Sequence, residues 1–445
     1  MYTPKNLSKK HLSFQSLIKG FSDKWQKFDD KRRANSINYS ILDTVLSGLA
    51  CMFYKSESML SFQQRMESKY KQSNLKTQFG VKKIPKDNQM RAIIGSINSE
   101  HFAPVFEEYL HRMQRSNYLS KYQIDGRYLI TIDGTEYFSS KSISCNNCLT
   151  QEHRSGSITY SHKVVQPIIS HPDYRQILPL MPEEISNTDG QEKQDSEINA
   201  AKRLLPKIRT QHPRMSIIWM GDSLYATSPF IEEIRKKDDK FIFRVKEGDH
   251  KALYKELKDA DFCTFKTSNK RDGTLVHKWL SKVKLNNSSN IIVNVMRLFV
   301  VSKNKDGSLK SVLVGTWITD IDLNENNIVE LVRAARARWK VENECFNILK
   351  NHGYNLAHNW GHQNGESFNF YILIMLAFYM HQILDLTDKL FQKCRQLART
   401  YKDLWNELSF IFRRRLYGSW EEMLNTYIKE FIEAHTPDPP VKKII

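Results

Sequence analysis

Three acidic side chains stand in otherwise apolar surroundings. Asp133 follows the run Leu129-Ile130-Thr131-Ile132, Asp222 follows Ile217-Ile218-Trp219-Met220-Gly221, and Glu342 lies in an amphipathic stretch near the C-terminal third. Each has an ordinary explanation. Aspartates open turns, and Glu342 can pair with Arg338 at i, i+4 spacing on a helix. Taken together, two acids at strand ends and one on a helix form an all-oxygen donor set suited to a hard cation. Mg²⁺ keeps several of its waters, so three carboxylates could hold two ions bridged by a substrate phosphate. One ion would activate the attacking oxygen and the other would steady the leaving one, with no need for a histidine or a side-chain nucleophile.

The elements that would position these acids can be read from periodicity. Residues 327–353 (NIVELVRAARARWKVENECFNILKNHG) read as one long helix. Asn327 and Glu330 have capping-box spacing, and Gly353 suits a left-handed C-terminal cap. At about 100° per residue, Ile328, Leu331, Val332, Ala335, Trp339, Phe346 and Leu349 share an arc of roughly 100°. Glu342 falls inside that arc and Glu344 about 160° away, which makes Glu342 the third acid. Residues 127–138 and 159–170 read as strands, the second bent or at an edge because of Pro167. A polar loop at 183–189 and a helix over about 195–211 follow, then a buried strand at 215–220 and a helix over 229–237. This is an α/β pattern.

The flanking sequence differs in character. Residues 1–120 read as mostly helical, with apolar or amphipathic helices over 41–54, 87–97 and 102–113 and basic connections between them. Such units suit DNA docking or dimerisation. Residues 240–322 are β-rich, with polar turns such as 304–307 between the strands. Helices over 368–390 and from Tyr401 onward follow the Gly353 stop. The expected organisation is therefore a helical region at 1–120, a core at 121–239 and 325–385 interrupted by a β-rich insertion at 240–324, and a helical region at 386–445.

Lys plus Arg number 67 against 49 Asp plus Glu, a formal charge of +18 over 445 residues. That excess favours a polyanionic partner, nucleic acid first and an acidic membrane surface second. The N-terminal residues carry no apolar signal-peptide core. The longest apolar run, 370–380, is too short to span a bilayer, so no membrane partner is expected. Six cysteines in so long a chain do not make a disulfide scaffold, and a reducing, cytoplasmic setting fits.

Three stretches, ITIDGTEYF, IIWMGDSLYA and RARWKVENECFNILKNHGY, together resemble the DDE-type transposases of bacterial insertion sequences. Arg338 and Glu342 match the Arg-x3-Glu part of the family's Tyr-Arg-Glu-Lys helix signature. Ala335 stands at the Tyr position. Lys350 lies eight residues after Glu342, where the strict signature selects Leu349. The resemblance implies a mixed α/β fold, an RNase H-like catalytic core carrying a β-rich insertion, with helical N- and C-terminal regions. It implies Asp133, Asp222 and Glu342 as catalytic ligands of two Mg²⁺ ions, replaceable by Mn²⁺. Arg338 and Lys350 would contact DNA, Arg338 alternatively orienting Glu342. The partners would be double-stranded DNA at terminal inverted repeats and at the target, with a homodimer joining two ends in the bacterial cytoplasm, associated with the nucleoid. The activity would be strand cleavage followed by strand transfer. The alternatives are a catalytically inactive or domesticated relative acting as a DNA-binding repressor, and a nuclease without strand transfer.

Other residues carry weaker signals. Cys145-Asn-Asn-Cys148 with His153 and His162 reads as a zinc knuckle or as two reduced thiols in a loop. His352, His358 and His362 could touch phosphate or be polar loop groups. Arg333, Arg336 and Lys340 could track DNA or form a solvated face. Trp317 could stack on a flipped base or pack in the core.

Overall fold

The computed structural model describes residues 10–435 except 27, 31, 34–36, 68–72, 188–193, 270–272, 305, 307 and 364. Parts of the expected 183–189 loop and 304–307 turn, and the ends of the chain, lie outside the described residues. The chain divides into two compact units. One comprises Met1–Leu119, Tyr137–Cys145 and Asn347–Ile445, the other Ser120–Glu136 and Asn146–Phe346.

The first unit begins with helices α1 (Phe14–Trp25), α2 (Ile41–Phe53), α3 (Met59–Met66), α4 (Asn74–Phe79), α5 (Asp87–Gly95) and α6 (Ala103–Arg115). Ser13, Ser40 and Ser58 start α1 to α3, each accepting the backbone N–H three residues on. A serine in this position satisfies one of the four orphan donors of a helix start.

The second unit is built on a sheet. Its strands are β1 (Arg127–Ser140), β2 (Leu149–Glu152), β3 (Ile158–His171), β4 (Tyr174–Pro179), β5 (Glu183–Ile185), β6 (Ile217–Gly221), β7 (Lys240–Val245), β8 (Cys263–Asn269), β9 (Gly273–Lys284), β10 (Ile292–Lys303) and β11 (Leu309–Thr319). Among the described residues the sheet has 12 strands, in the order β2-β3-β1-β6-β7-β11-β10-β9-β8. In addition β4 and β5 pair with β3, and Gln123–Ile124 pairs with β1. β1, β6 and β7 run parallel, and β7 to β11 to β10 to β9 to β8 run antiparallel. The β-rich segment thus continues the same sheet through β7. Pro167 lies inside the sheet rather than at an edge. It falls where β3 passes from pairing with β5 at Lys163–Val165 to pairing with β4 from Ile168, so its missing N–H costs no ladder bond there.

Helices α7 (Glu197–Gln211), α8 (Ser228–Arg235) and α9 (Lys251–Leu257) connect strands, and α10 (Ile328–Arg336) follows β11. α10 buries Ile328, Leu331, Val332, Ala334 and Ala335 against Leu129, Ile218, Met220 and Ile242 of the sheet. Full burial of each Leu, Ile or Val contributes roughly 1.5–3 kcal/mol. Alternate strand residues point to opposite faces, so Leu129, Thr131 and Asp133 share the α10 face with Ile218, Met220 and Asp222. Trp219 belongs to the other face. Its Nε1 donates to the buried Asp239 carboxylate at 3.0 Å, and Asp239 also pairs with Arg209 of α7.

The first unit is completed by α11 (Asn347–Asn351), α12 (Glu366–Thr387), α13 (Lys389–Leu397), α14 (Tyr401–Arg414) and α15 (Trp420–His435). By length and composition α12 could cross a membrane, longer than the 370–380 run suggests, yet 83% of that stretch is buried inside the protein. It is a core helix packed on α2. A Cβ at Gly48 of α2 would lie 2.9 Å from Ile94 and 3.0 Å from Leu373, so glycine permits this close approach.

Asp239→Ala would leave the Trp219 donor and the Arg209 guanidinium without their buried acceptor. The expected cost is about 2–4 kcal/mol, read as a lower midpoint in urea unfolding. An unchanged midpoint would mean that this pair does not hold β6 and α7 together.

Candidate active site

β1 and β6 set the first two acids side by side. Their parallel register pairs Tyr128 with Ile217 through Thr131 with Met220. Carried two residues further at the same offset, Asp133 faces Asp222 where β6 ends, on the side that carries α10. Neighbouring strands lie about 4.8 Å apart, so both carboxylates can reach one small ion. Asp222 also opens a turn, accepting the Leu224 N–H at 2.9 Å. The ordinary reading of this aspartate and its place in the acid cluster are therefore compatible.

The third acid arrives on an irregular helix. α10 stops at Arg336, Ala337–Trp339 form a 3-10 turn, Val341–Phe346 form a π-helical turn, and α11 follows. The expected continuous α-helix is replaced by tightened and widened turns, and the 100° phase fails beyond Arg336. Arg338 turns inward and is 6% exposed, whereas Trp339, expected inside, is 44% exposed. The capping box is absent as well. Asn327 has helical backbone angles and instead bonds Asn324 and Asp322 through its amide. Gly353 does take the expected left-handed conformation, with φ +87°.

Glu342 Oε1 accepts from Arg338 Nη2 at 3.0 Å, and Arg338 Nη1 lies 3.6 Å from Asp133 Oδ2. One buried guanidinium therefore ties the helix acid to the strand acid. Glu344 turns to Arg175 of β4, with Nε donating to Oε2 at 3.0 Å. The Glu344 side chain is 26% exposed and that of Glu342 40%, the reverse of the simple face argument, because β4 covers Glu344. Its partner, rather than its exposure, separates Glu344 from the cluster.

A fourth carboxylate, Glu197 in the first turn of α7, joins the cluster. Its Oε1 accepts the Tyr225 hydroxyl at 2.6 Å, and its carboxylate takes the Gly134 N–H. A Cβ on Gly134 would sit 2.1 Å from Glu197 Oε2, so the glycine after Asp133 makes room for it. An acid in the first turn of a helix is common because it complements the dipole, and the sequence therefore carries no signal that singles out Glu197.

The electrostatics follow from this crowding. Burial pushes the Asp133 carboxyl up to about 7. Arg338 opposes that rise, and Glu197, Asp222 and Glu342 add to it. Burial also raises Glu197, with Asp222 contributing, and raises the Tyr225 phenol, to which the Glu197 charge adds. Asp133 thus feels three other carboxylates against one guanidinium. A cluster of oxygen donors with surplus negative charge fits a hard divalent cation.

The remaining candidates lie elsewhere or are engaged. Lys350 is exposed on α11, in the other compact unit. Arg333 pairs with Asp173, Arg336 is exposed, and the half-buried Lys340 donates to the Tyr174 carbonyl. Trp317 is 3% exposed and packs over Gly315 in the core. His358 stacks edge-on against Trp360, and the His362 ring packs on Phe138. His352 gives its carbonyl to Lys55 Nζ at 2.9 Å. No family model and no curated protein matches the chain.

The raised Asp133 carboxyl has a thermodynamic sign. The folded protein holds this proton more tightly than the unfolded chain, so in the absence of divalent ions the residue costs stability as pH rises from about 4 through about 7. Asp133→Asn removes that cost. In EDTA at pH 8 the variant should be more stable than the parent by roughly 2–4 kcal/mol, with the difference vanishing near pH 4. Equal melting of the two proteins at pH 8 would contradict the crowded-acid geometry.

Proposed function

We propose that this chain is a DDE transposase of an insertion sequence, which cuts DNA at the ends of its element and joins them to target DNA with Mg²⁺. One observation carries the reading: Asp133 on β1 lies beside Asp222 at the end of the parallel strand β6, and Arg338 joins Asp133 to Glu342, in a chain of charge +18. Phosphodiester transfer with hard cations needs just such an oxygen site beside an anion-attracting surface. The mixed sheet with the first acid on a central strand, the second after the neighbouring parallel strand, and antiparallel strands between it and the acid-bearing helix supports an RNase H-like core with a β insertion.

Within that reading, Asp133, Asp222 and Glu342 hold two Mg²⁺ ions, with Mn²⁺ an acceptable replacement. When bound, the metal supplies positive charge beside the scissile phosphate and a means of activating water. Asp133 must give up its proton to serve, so ligation is favoured above about pH 7 unless the cation itself drives the proton off. Arg338, enclosed by two carboxylates, is a positioning residue for Glu342. Gly134 and Tyr225 position Glu197 at the rim of the same cluster. The exposed Trp339 ring, with the Arg244 and Arg338 guanidiniums 5.6 and 5.0 Å from its centroid, offers a stacking surface for an unpaired base beside the acids. The helical termini and Lys350 would bind the terminal repeats, a homodimer would hold two ends, and the work would take place on nucleoid DNA in the cytoplasm.

The test is strand cleavage of labelled DNA carrying the inverted repeats that flank the coding region. Cleavage should need Mg²⁺ or Mn²⁺ and fail with Ca²⁺. Asp222→Ala should lose at least about 100-fold in rate while binding the same DNA within a few-fold. Tight binding without cleavage in any metal would overturn the enzymatic reading.

Two further variants examine the assignment within the site. Glu342→Gln should match Asp222→Ala, whereas Glu344→Gln, which breaks only a partly exposed ion pair, should cleave within about threefold of the parent. Equal losses would remove Glu342 from the site. Trp339→Ala should weaken binding of single-strand-ended DNA by about tenfold and leave fully paired DNA nearly unaffected.

A further inference from the structure

Away from the acids, the loop after β1 carries Cys145-Asn-Asn-Cys148. Cys148 immediately precedes β2, which pairs antiparallel with β3 from Leu149 opposite Ser161. The same register sets Cys148 opposite His162, and Cys148 Sγ lies 3.5 Å from His162 Nε2. Both residues are buried, at 3% and 2% exposure. The other ring nitrogen, Nδ1, faces the Glu184 carboxylate of β5 at 3.6 Å. A buried thiol against one imidazole nitrogen, with a carboxylate behind the other, is the arrangement of a metal-ligating histidine held by its outer partner. Cys145 precedes Cys148 by the C-x2-C spacing, with which one short turn brings two thiolates to a common ion. Neither Cys145 nor Cys148 is in a disulfide.

We propose that Cys145, Cys148 and His162 hold a structural zinc ion, with Glu184 orienting the His162 ring. Two thiolates and one imidazole select a borderline-soft ion, in contrast to the hard-oxygen chemistry of the acid cluster. His153, the other histidine near the pair, is exposed and bonds Thr159 through Nε2 at 2.8 Å, so it takes no part. The ion would pin the short strand β2 onto β3. A four-residue strand whose residues after Leu149 are exposed has little apolar surface of its own to hold it there. Binding releases the two thiol protons to solvent as the thiolates ligate the metal.

The test uses the full chain, expressed with added zinc and purified under reducing conditions. Elemental analysis should find about one zinc per chain. Cys145→Ser, Cys148→Ser and His162→Ala should each lose most of it, while His153→Ala and Asp222→Ala keep it. Cobalt loaded in place of zinc should give a thiolate-to-cobalt charge-transfer band, reduced by about half in Cys145→Ser where cobalt is retained. Glu184→Gln, which leaves every ligand in place, should weaken zinc in a chelator competition by about 10–100-fold. That variant keeps the proposal testable if a ligand variant fails to fold. Folded parent protein with less than about a tenth of an equivalent of zinc would overturn the proposal. So would full zinc in Cys148→Ser, or a Cys145–Cys148 disulfide seen as a mass loss of about 2 Da in the zinc-free protein.

Discussion

The crowding of three other carboxylates around Asp133 is the constraint on which the second compact unit turns. Glu197, Asp222 and Glu342 all act on Asp133, and Asp222 acts on Glu197, with burial the largest influence on both. Like charges in a partly desolvated site are costly, and the unit spends much of its organisation on tolerating them. Arg338 is buried between Asp133 and Glu342, the Tyr225 hydroxyl and the Gly134 N–H donate to Glu197, and the Leu224 N–H serves Asp222. Under the proposed function, the charge that protein groups leave uncompensated would be met by a cation, and the site without it would trade stability for ligation.

Two kinds of scaffold carry the acids. The parallel pairing of β1 with β6 is regular, and its register is enforced by the buried residues on the α10 face, since a slip of one residue would turn every side chain to the opposite face. The helix side is irregular. A 3-10 turn followed by a π turn changes the angular step twice within ten residues, which buries Arg338 and turns Trp339 outward. π turns concentrate at functional sites because they redirect a side chain without ending the helix. Here the redirected group is the guanidinium that joins Glu342 to Asp133.

Much of this was legible in the chain. The strands holding Asp133 and Asp222 announce themselves by apolar, β-branched runs that end in an acid. The apolar stripe of Ile328, Leu331, Val332 and Ala335 announces a helix lying on a sheet, and the β-rich character of 240–322 shows in alternating residues. These are local signals, written in periodicities of 2 and 3.6. The polar rungs at the helix start misled: Asn327 and Glu330 have the spacing of a capping box, but Asn324 and Asp322 compete for the Asn327 side chain.

By itself the sequence determined the mixed α/β class, the apolar strand runs that lead into Asp133 and Asp222, the surplus positive charge and the C-x2-C pair, because each depends on residue type and short-range spacing. Only the tertiary structure decided that Glu197 belongs with the acids, that Arg338 lies inside and Trp339 outside, that Glu344 turns to Arg175, that Pro167 sits within the sheet, and that His162 rather than His153 faces Cys148. The physical reason is common to all five. Each is settled by long-range contact: which strand lies beside which, where a register places a side chain, and which neighbours a helix meets where it departs from its ideal phase. Such contacts leave no mark in the neighbouring residues.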